Sequence, residues 1–302
     1  MSLSLRDRIV GSIVGSALGD ALGMPVEGLS HVNVRTYYKG IKEMRGDEKR
    51  GDLAAGQATA DTQRARALTR ALAAAPPDSP EAARVAFADE LAAIPDLRRG
   101  AVASPSASPA ASAVALGAVA RLRGLQGLAL SRWAALVFRP VDEAAVAHVA
   151  AASQAAALRA ALELDPAAGD GTPIWTQALA TARDAERTLG ADDRVSARLA
   201  RLGDHLGEFP LDLQDLCEGT GSAADEAFPF AVAMASRGVE LAEATVLSAV
   251  NVGGDAAAVG AMTGALMGAV HGADAFPAAW RDTLEDAEAV RAEAHSLVDA
   301  IA

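Results

Sequence analysis

The sequence has a single cysteine, few aromatic residues and no pattern typical of paired strands. Cys217 stands alone among 302 residues, which excludes a framework of disulfide bonds within the chain. Aromatic residues make up only 4% of the chain, and alanine far outnumbers the β-branched residues, a composition that favours helix over sheet. Because 51% of the residues are hydrophobic, a disordered chain is excluded as well. The sequence predicts one compact all-α domain, a helical bundle over residues 1–302.

Positive charge is also in short supply, with 27 Lys and Arg against 39 Asp and Glu and a formal net charge of −12. Such a surface repels phosphate backbones and anionic lipids. The uncharged stretch Ala256–Val270 is shorter than the ~20 residues that a membrane span needs. The apolar run Ile9–Leu18 is interrupted by Gly and Ser and is not typical of a signal peptide. We therefore expect a cytoplasmic protein with neither nucleic acid nor membrane as a partner.

Glycines recur every fourth residue in two predicted helices, one over residues 5–24 and one over residues 256–270. The glycines of the two stripes are Gly11, Gly15, Gly19 and Gly23, and Gly260, Gly264, Gly268 and Gly272. This spacing places each set on one helix face. A glycine inside a helix costs up to about 1 kcal/mol, so another interaction must offset that loss. The stripes predict that the two helices pack closely against each other, and small-residue packing is favoured over ligand contact.

Apolar residues at helical spacing predict most of the remaining structure. The predicted helices cover residues 62–75, 80–94, 142–164, 175–189, 224–237, 241–250 and 277–301, with a further helix beginning at residue 112. Prolines and serines over residues 101–111 predict a loop, and residues 165–172 predict a turn. Residues 202–221 are expected to mix short helical pieces with turns.

Three short segments place acidic or hydroxyl groups at helix ends. Pro25 ends the first helix, and Glu27 follows on an irregular loop. Thr59 or Asp61 can cap the next helix, and Asp255 can cap the second glycine-striped helix. Taken singly, each segment is explained by capping alone.

Taken together, these segments resemble the ADP-ribosylglycohydrolase family, which includes dinitrogenase-reductase-activating glycohydrolases and jellyfish J1 crystallins. The resemblance rests on residues 8–27, on a Thr-x-Asp-Thr motif at residues 59–62, and on residues 249–255 with the Gly-Ala pairs at 264–265 and 268–269. It is weak between Arg98 and Phe228, where residues 134–140 stand for the family's Asn-Gly-Ala-Ala-Met-Arg-x-Ala-Pro segment. The resemblance implies an all-α fold of the ADP-ribosylglycohydrolase type.

The family cleaves the glycosidic bond at C1″ of ADP-ribose and typically uses two Mg²⁺ ions. Its metal ligands come from a Thr-Asp-Asp triplet, from an Asp-x-Asp-Thr motif and from a glutamate after the first helix. By this resemblance Glu27 and Asp61 are the candidate catalytic residues, and Thr59, Asp61 and Asp255 are the surviving metal ligands. Gly254 and Ser222, which follows a glycine-rich loop, are candidate ligand-binding residues.

The sequence departs from the family at the metal ligands themselves. Ala60, Ala257 and Ala258 replace two carboxylates and a hydroxyl, and Ala257 stands where the family has the aspartate that commonly serves both ions. Residues 152–154 replace the family's Thr-His-Pro. We therefore expect an incomplete dimetal site, with no Mg²⁺ or weakly bound Mg²⁺, in a divergent pseudoenzyme that binds ADP-ribose or an ADP-ribosylated protein.

Two alternatives stay open at the level of sequence. One is a working ADP-ribosyl hydrolase that uses a single Mg²⁺ ion or a rearranged site. The other is a structural or interaction protein, as the crystallin relatives illustrate. Other chemistry has little support, since the five histidines are scattered, His271 stands at a helix end and Cys217 has apolar neighbours.

Overall fold

The computed structural model describes residues 3–48, 51–75, 78–98 and 104–301. Over these ranges the structure is helical, and the all-α prediction is confirmed. The first half contains α1 (Leu5–Gly23), α2 (His31–Asn33), α3 (Ala60–Ala74), α4 (Pro80–Ala92), α5 (Ser108–Ala111), α6 (Val114–Arg123), α7 (Gly127–Val137) and α8 (Ala145–Ala161). The second half contains α9 (Thr172–Leu189), α10 (Arg194–Leu202), α11 (Pro210–Leu216), α12 (Ala224–Arg237), α13 (Ala242–Val250), α14 (Ala256–His271), α15 (Ala278–Thr283) and α16 (Ala287–Ile301).

The two glycine-striped helices, α1 and α14, pack against each other with their backbones in contact. A Cβ atom built on Gly19 would lie 1.9 Å from the carbonyl oxygen of Gly260, and one built on Gly260 would lie 2.1 Å from the carbonyl oxygen of Gly19. The same reciprocal contact joins Gly15 to Gly264. The predicted packing of the two stripes is confirmed, because only glycine leaves room for this approach.

The α1 and α14 pair forms the centre of the molecule. Every residue of α1 from Ile9 onward is buried, as is every residue of α14 before His271. Helices α3, α5, α8, α12, α13 and α16 pack around the pair. By length and composition alone Leu5–Val26 could cross a membrane, but this stretch is enclosed by the other helices, as a core helix is.

Several helix boundaries differ from the sequence prediction. The predicted helix over residues 277–301 is wrong as a single element, because Leu284–Asp286 separates α15 from α16 and Asp286 adopts a positive φ of 57°. The predicted loop over residues 101–111 is wrong at its end, where Ser108–Ala111 forms α5 with Pro109 in the first turn, a position that proline tolerates. Helix α10 had no counterpart in the prediction. The expected breaks at residues 76–77 and 101–103 lie outside the described residues.

Candidate functional site

Three helix ends meet at the candidate site: the C-terminal turn of α1, the N-terminus of α3 and the N-terminus of α14. Asp20, in the last turn of α1, is fully buried and reaches the start of α3. Its carboxylate accepts hydrogen bonds from the backbone amides of Thr59 (3.0 Å) and Thr62 (2.9 Å) and from the Thr62 hydroxyl (2.6 Å). These bonds satisfy amides that the first turn of a helix leaves unpaired. Asp20 therefore fixes where α3 begins.

Burial raises the pKa of Asp20 to about 7, and the nearby Asp61 carboxylate raises it further against the effect of the hydrogen bonds from Thr62 and Thr59. An isolated buried charge is costly, so desolvation favours the protonated form. Sequence reasoning used Asp20 only as the end of an apolar run. A lone carboxylate inside an otherwise apolar, glycine-rich helix was the signal that could have identified it.

Thr59 and Asp61 begin α3, as the sequence predicted. The Thr59 hydroxyl accepts a hydrogen bond from the Asp61 backbone amide at 3.3 Å, which makes Thr59 the N-cap. The Asp61 carboxylate lies 3.2 Å from the guanidinium of Arg64, and both side chains are buried. Burial raises the pKa of Asp61, whereas the charge of Arg64 and a hydrogen bond with Ser108 oppose that rise. Asp61 is thus part of a buried ion pair within α3.

Asp255 caps α14 and lies beside the other carboxylates. Its side chain accepts a hydrogen bond from the Ala258 amide at 3.3 Å, which confirms the predicted N-cap. Burial raises its pKa well above the usual range, and the charges of Asp61 and Glu27 raise it further. The fold therefore brings three of the predicted site residues, Glu27, Asp61 and Asp255, close enough to affect one another's ionisation.

Glu27 and Gly254 lie on two turns that pair with each other. Glu27 is half-buried and follows the 3₁₀ turn Met24–Val26. The amide of Gly28 donates to the carbonyl of Gly254 at 2.7 Å, and the amide of Gly254 donates to the carbonyl of Leu29 at 2.9 Å. Gly254 has a φ of +70°, and a Cβ atom there would lie 2.1 Å from the Thr220 carbonyl oxygen. Its observed role is to let these backbones meet, and ligand contact by Gly254 stays a prediction.

Ser222 lies on the glycine-rich loop, which joins two parts of the site. The Ser222 carbonyl accepts a hydrogen bond from the amide of Ala107 at 2.9 Å, and the Thr220 carbonyl accepts one from the amide of Asp255 at 2.6 Å. The loop therefore connects the start of α14 to the segment before α5. Ser222 is half-buried, and the contact of its hydroxyl with a ligand also stays a prediction.

Sequence reasoning missed Arg64 and Ser108. The Arg64 guanidinium donates to the Ser108 hydroxyl at 3.1 Å as well as to Asp61. The Arg132–Val137 stretch, which stood for the family's Asn-Gly-Ala-Ala-Met-Arg segment, belongs to α7, and α7 packs against α4, α8 and α9. Gln154 is buried in α8 and donates to the Met262 carbonyl at 3.2 Å. A contact such as that of Arg64 with Ser108, 44 residues apart, leaves no local pattern in the sequence.

The comparisons with known proteins agree with this arrangement. Residues 1–302 match the family model described as ADP-ribosylglycohydrolase. The chain belongs to the ADP-ribosylglycohydrolase family. It is similar to human ADP-ribosylhydrolase ARH3, at 29% identity over 124 residues, which cover 37% of this chain and 34% of that protein. A solved structure titled "ADP-ribosylglycohydrolase-related protein complex" superposes with a TM-score of 0.68 at 25% identity, covering 99% of each chain. The match to human ARH3 spans about a third of that protein.

The side chains of this ADP-ribosylglycohydrolase do not fit a pair of Mg²⁺ ions. Ala60, Ala257 and Ala258 are buried and offer no side-chain oxygen. Asp61 is bonded to a guanidinium, and Asp255 accepts a backbone amide. Throughout the described ranges, no three His, Cys, Asp or Glu side chains are grouped so as to hold a metal ion. Mg²⁺ requires near-octahedral oxygen coordination, which this donor set does not supply twice.

Proposed function

We propose that this chain is a divergent ADP-ribosylglycohydrolase that binds ADP-ribose or a related ribosyl group, free or on a modified protein, with little or no hydrolysis. The observation that carries the proposal is the burial of three alanines, Ala60, Ala257 and Ala258, at the positions where the family has metal ligands. Two divalent ions about 4 Å apart repel each other strongly unless carboxylates neutralise them. Replacing a bridging carboxylate and a second one with methyl groups removes that neutralisation.

The framework around these alanines supports retention of a ligand cleft. The turn at Glu27 and Gly28, the turn at Gly254 and the Thr220 loop are held together by backbone hydrogen bonds of 2.6 to 2.9 Å. We propose Gly254 and Ser222 as ligand contacts on these turns. Glu27 is half-buried, whereas Asp61 and Asp255 are buried, so Glu27 is the carboxylate best placed to act on a water if any hydrolysis remains. We also propose a cytoplasmic location, with no nucleic-acid or membrane partner.

Calorimetry with ADP-ribose and a turnover assay test this function together. We expect saturable binding of ADP-ribose, and no release of ADP-ribose from ADP-ribosyl-arginine or ADP-ribosyl-serine, with or without Mg²⁺. Metal-dependent release would instead support a hydrolase that uses one ion, an alternative favoured by the proximity of Glu27, Asp61 and Asp255. An absence of ADP-ribose binding would overturn the proposal and favour a structural or interaction protein.

A restored variant serves as the matched control. Ala60→Asp, Ala257→Asp and Ala258→Thr together return the carboxylates and the hydroxyl that the family carries. We expect the triple variant to gain a Mg²⁺-dependent rise in melting temperature that the original chain lacks, because an ion that binds only the folded state stabilises it. No such gain would show that the alanines are not what prevents metal binding.

A further inference from the structure

Arg64 is a buried cation inside the carboxylate site. It lies one turn into α3, and its side chain is only 9% exposed. One guanidinium nitrogen, Nη1, donates to the Asp61 carboxylate at 3.2 Å and to the Ser108 hydroxyl at 3.1 Å. An arginine at this depth is rare unless it is paired, because a buried charge loses its hydration.

The carboxylates around this guanidinium require a positive charge. Asp20, Asp61 and Asp255 are all buried, and each lies close enough to another to raise its pKa. Arg98 also acts on Asp20 through its charge, but its guanidinium is bonded to Glu285 near the surface. Arg64 is hydrogen-bonded within the site itself.

We infer that Arg64 is a built-in counterion, a guanidinium that supplies the positive charge which a divalent ion supplies elsewhere in the family. This inference rests on the proposed function in one respect, namely that the site works without a dimetal centre. The guanidinium is planar, carries several donors and remains charged at any ordinary pH. It therefore joins Asp61 to Ser108 and holds the start of α3 against the start of α5.

A covalently attached cation has a consequence that a bound ion does not. An ion is lost to a chelator and its binding depends on its concentration, whereas Arg64 is present in every folded molecule. The shape of the site should therefore be independent of divalent ions. Removal of the guanidinium alone leaves Asp61 buried without its partner, which is strongly destabilising.

The test compares thermal melting of the original chain and of Arg64→Met, each in EDTA and in millimolar Mg²⁺ or Ca²⁺. We expect the original chain to melt at the same temperature in all three solutions. Arg64→Met in EDTA is expected to melt about 5 °C or more lower, and to recover part of that loss when either ion is added. The ion would then neutralise the carboxylates that Arg64 neutralises in the original chain.

Arg66→Met is the matched control on the same helix. Arg66 is bonded to Glu293 and Asp286, away from the site, and its side chain is 22% exposed. Its replacement is expected to lower the melting temperature less, with no recovery in Mg²⁺ or Ca²⁺. Arg64→Lys, which keeps the charge, is expected to lose less than Arg64→Met.

Asp61→Asn provides a second measurement that does not depend on the single variant folding. In the double variant Arg64→Met and Asp61→Asn, the unpaired carboxylate is gone, so the double variant is expected to melt above Arg64→Met alone. If Arg64→Met does not fold, the double variant decides, because we expect it to fold. A double variant that also fails to fold would overturn the inference.

Three other results would overturn the inference: a melting temperature of the original chain that falls in EDTA or rises with Mg²⁺, an Arg64→Met variant as stable as the original, or an Arg64→Met variant that neither ion stabilises. These outcomes are separate from the calorimetry with ADP-ribose. Failure to bind ADP-ribose in a chain that is insensitive to EDTA would overturn the ligand of the proposed function and leave the role of Arg64 intact.

Discussion

The carboxylate of Asp20 lies 2.6 Å from the hydroxyl oxygen of Thr62 and accepts its proton in a hydrogen bond. The same carboxylate accepts the Thr62 amide at 2.9 Å and the Thr59 amide at 3.0 Å. One side chain at the end of α1 thus holds the first turn of α3, 42 residues further along the chain. The helix that carries Asp61 and Arg64 begins where it does because of this contact.

Asp20→Asn is expected to lower the free energy of unfolding by about 1–3 kcal/mol, because the amide nitrogen of Asn cannot accept from the donors that Asp20 satisfies. Thr62→Val removes only the hydroxyl donor, and we expect the smaller loss of about 1 kcal/mol. Chemical denaturation of both variants measures the difference. Equal stability of Asp20→Asn and the original chain would contradict the role of Asp20.

Gly19→Ala is expected to destabilise the protein by about 2 kcal/mol or more, although alanine is the better helix former by about 1 kcal/mol. The new methyl group would meet the Gly260 carbonyl at 1.9 Å, so α1 and α14 would have to move apart. The sign of the change separates tertiary packing from helix propensity. Gly207→Ala is the control, since a Cβ atom there meets nothing within 4 Å and we expect little change.

Asp142 is expected to make stability fall at acid pH. Burial raises the pKa of its carboxyl, but hydrogen bonds from Ala144, Ser104 and Ser106 outweigh burial and hold that pKa below its usual value. A depressed folded-state pKa means that the ionised group stabilises the fold above the unfolded pKa of about 4, and that this contribution is lost as the pH falls through the folded-state value.

The measurement is the difference in unfolding free energy between the original chain and Asp142→Asn from pH 7 to pH 3. We expect the original chain to be more stable by about 1–3 kcal/mol at pH 7, with the difference shrinking below about pH 4. Both proteins keep His148, so its own titration largely cancels. A difference that stays constant or grows toward pH 3 would show that the ionised form is not what stabilises the segment at Ser104 and Ser106.

Cys217 is expected to be inert in the folded protein. Its side chain is fully buried, and burial raises the pKa of its thiol to about 12, so almost no thiolate forms at neutral pH. A disulfide reagent should label it about 100-fold or more slowly in buffer than in denaturant. Cys217→Ser gives the background signal, and rapid labelling of the native chain would show that Cys217 becomes exposed.

The sequence by itself determined the helical class, the contact between the glycine stripes and the caps at Thr59 and Asp255. Each depends on local rules, namely the period of a helix, the size of a side chain and the amides that a helix start leaves unpaired. Local patterns did not locate the break at Asp286, where a positive φ separates α15 from α16.

Only the tertiary structure decided which charges meet. The sequence predicted Glu27, Asp61 and Asp255 as site residues through the family resemblance, and the fold placed them together with Asp20. It also joined Arg64 to Ser108, which sequence reasoning had assigned to a loop. Whether a buried carboxylate meets a metal, a hydroxyl or a guanidinium depends on how helices distant along the chain pack, because the free energy of a buried charge is set by the few groups around it rather than by its neighbours in sequence.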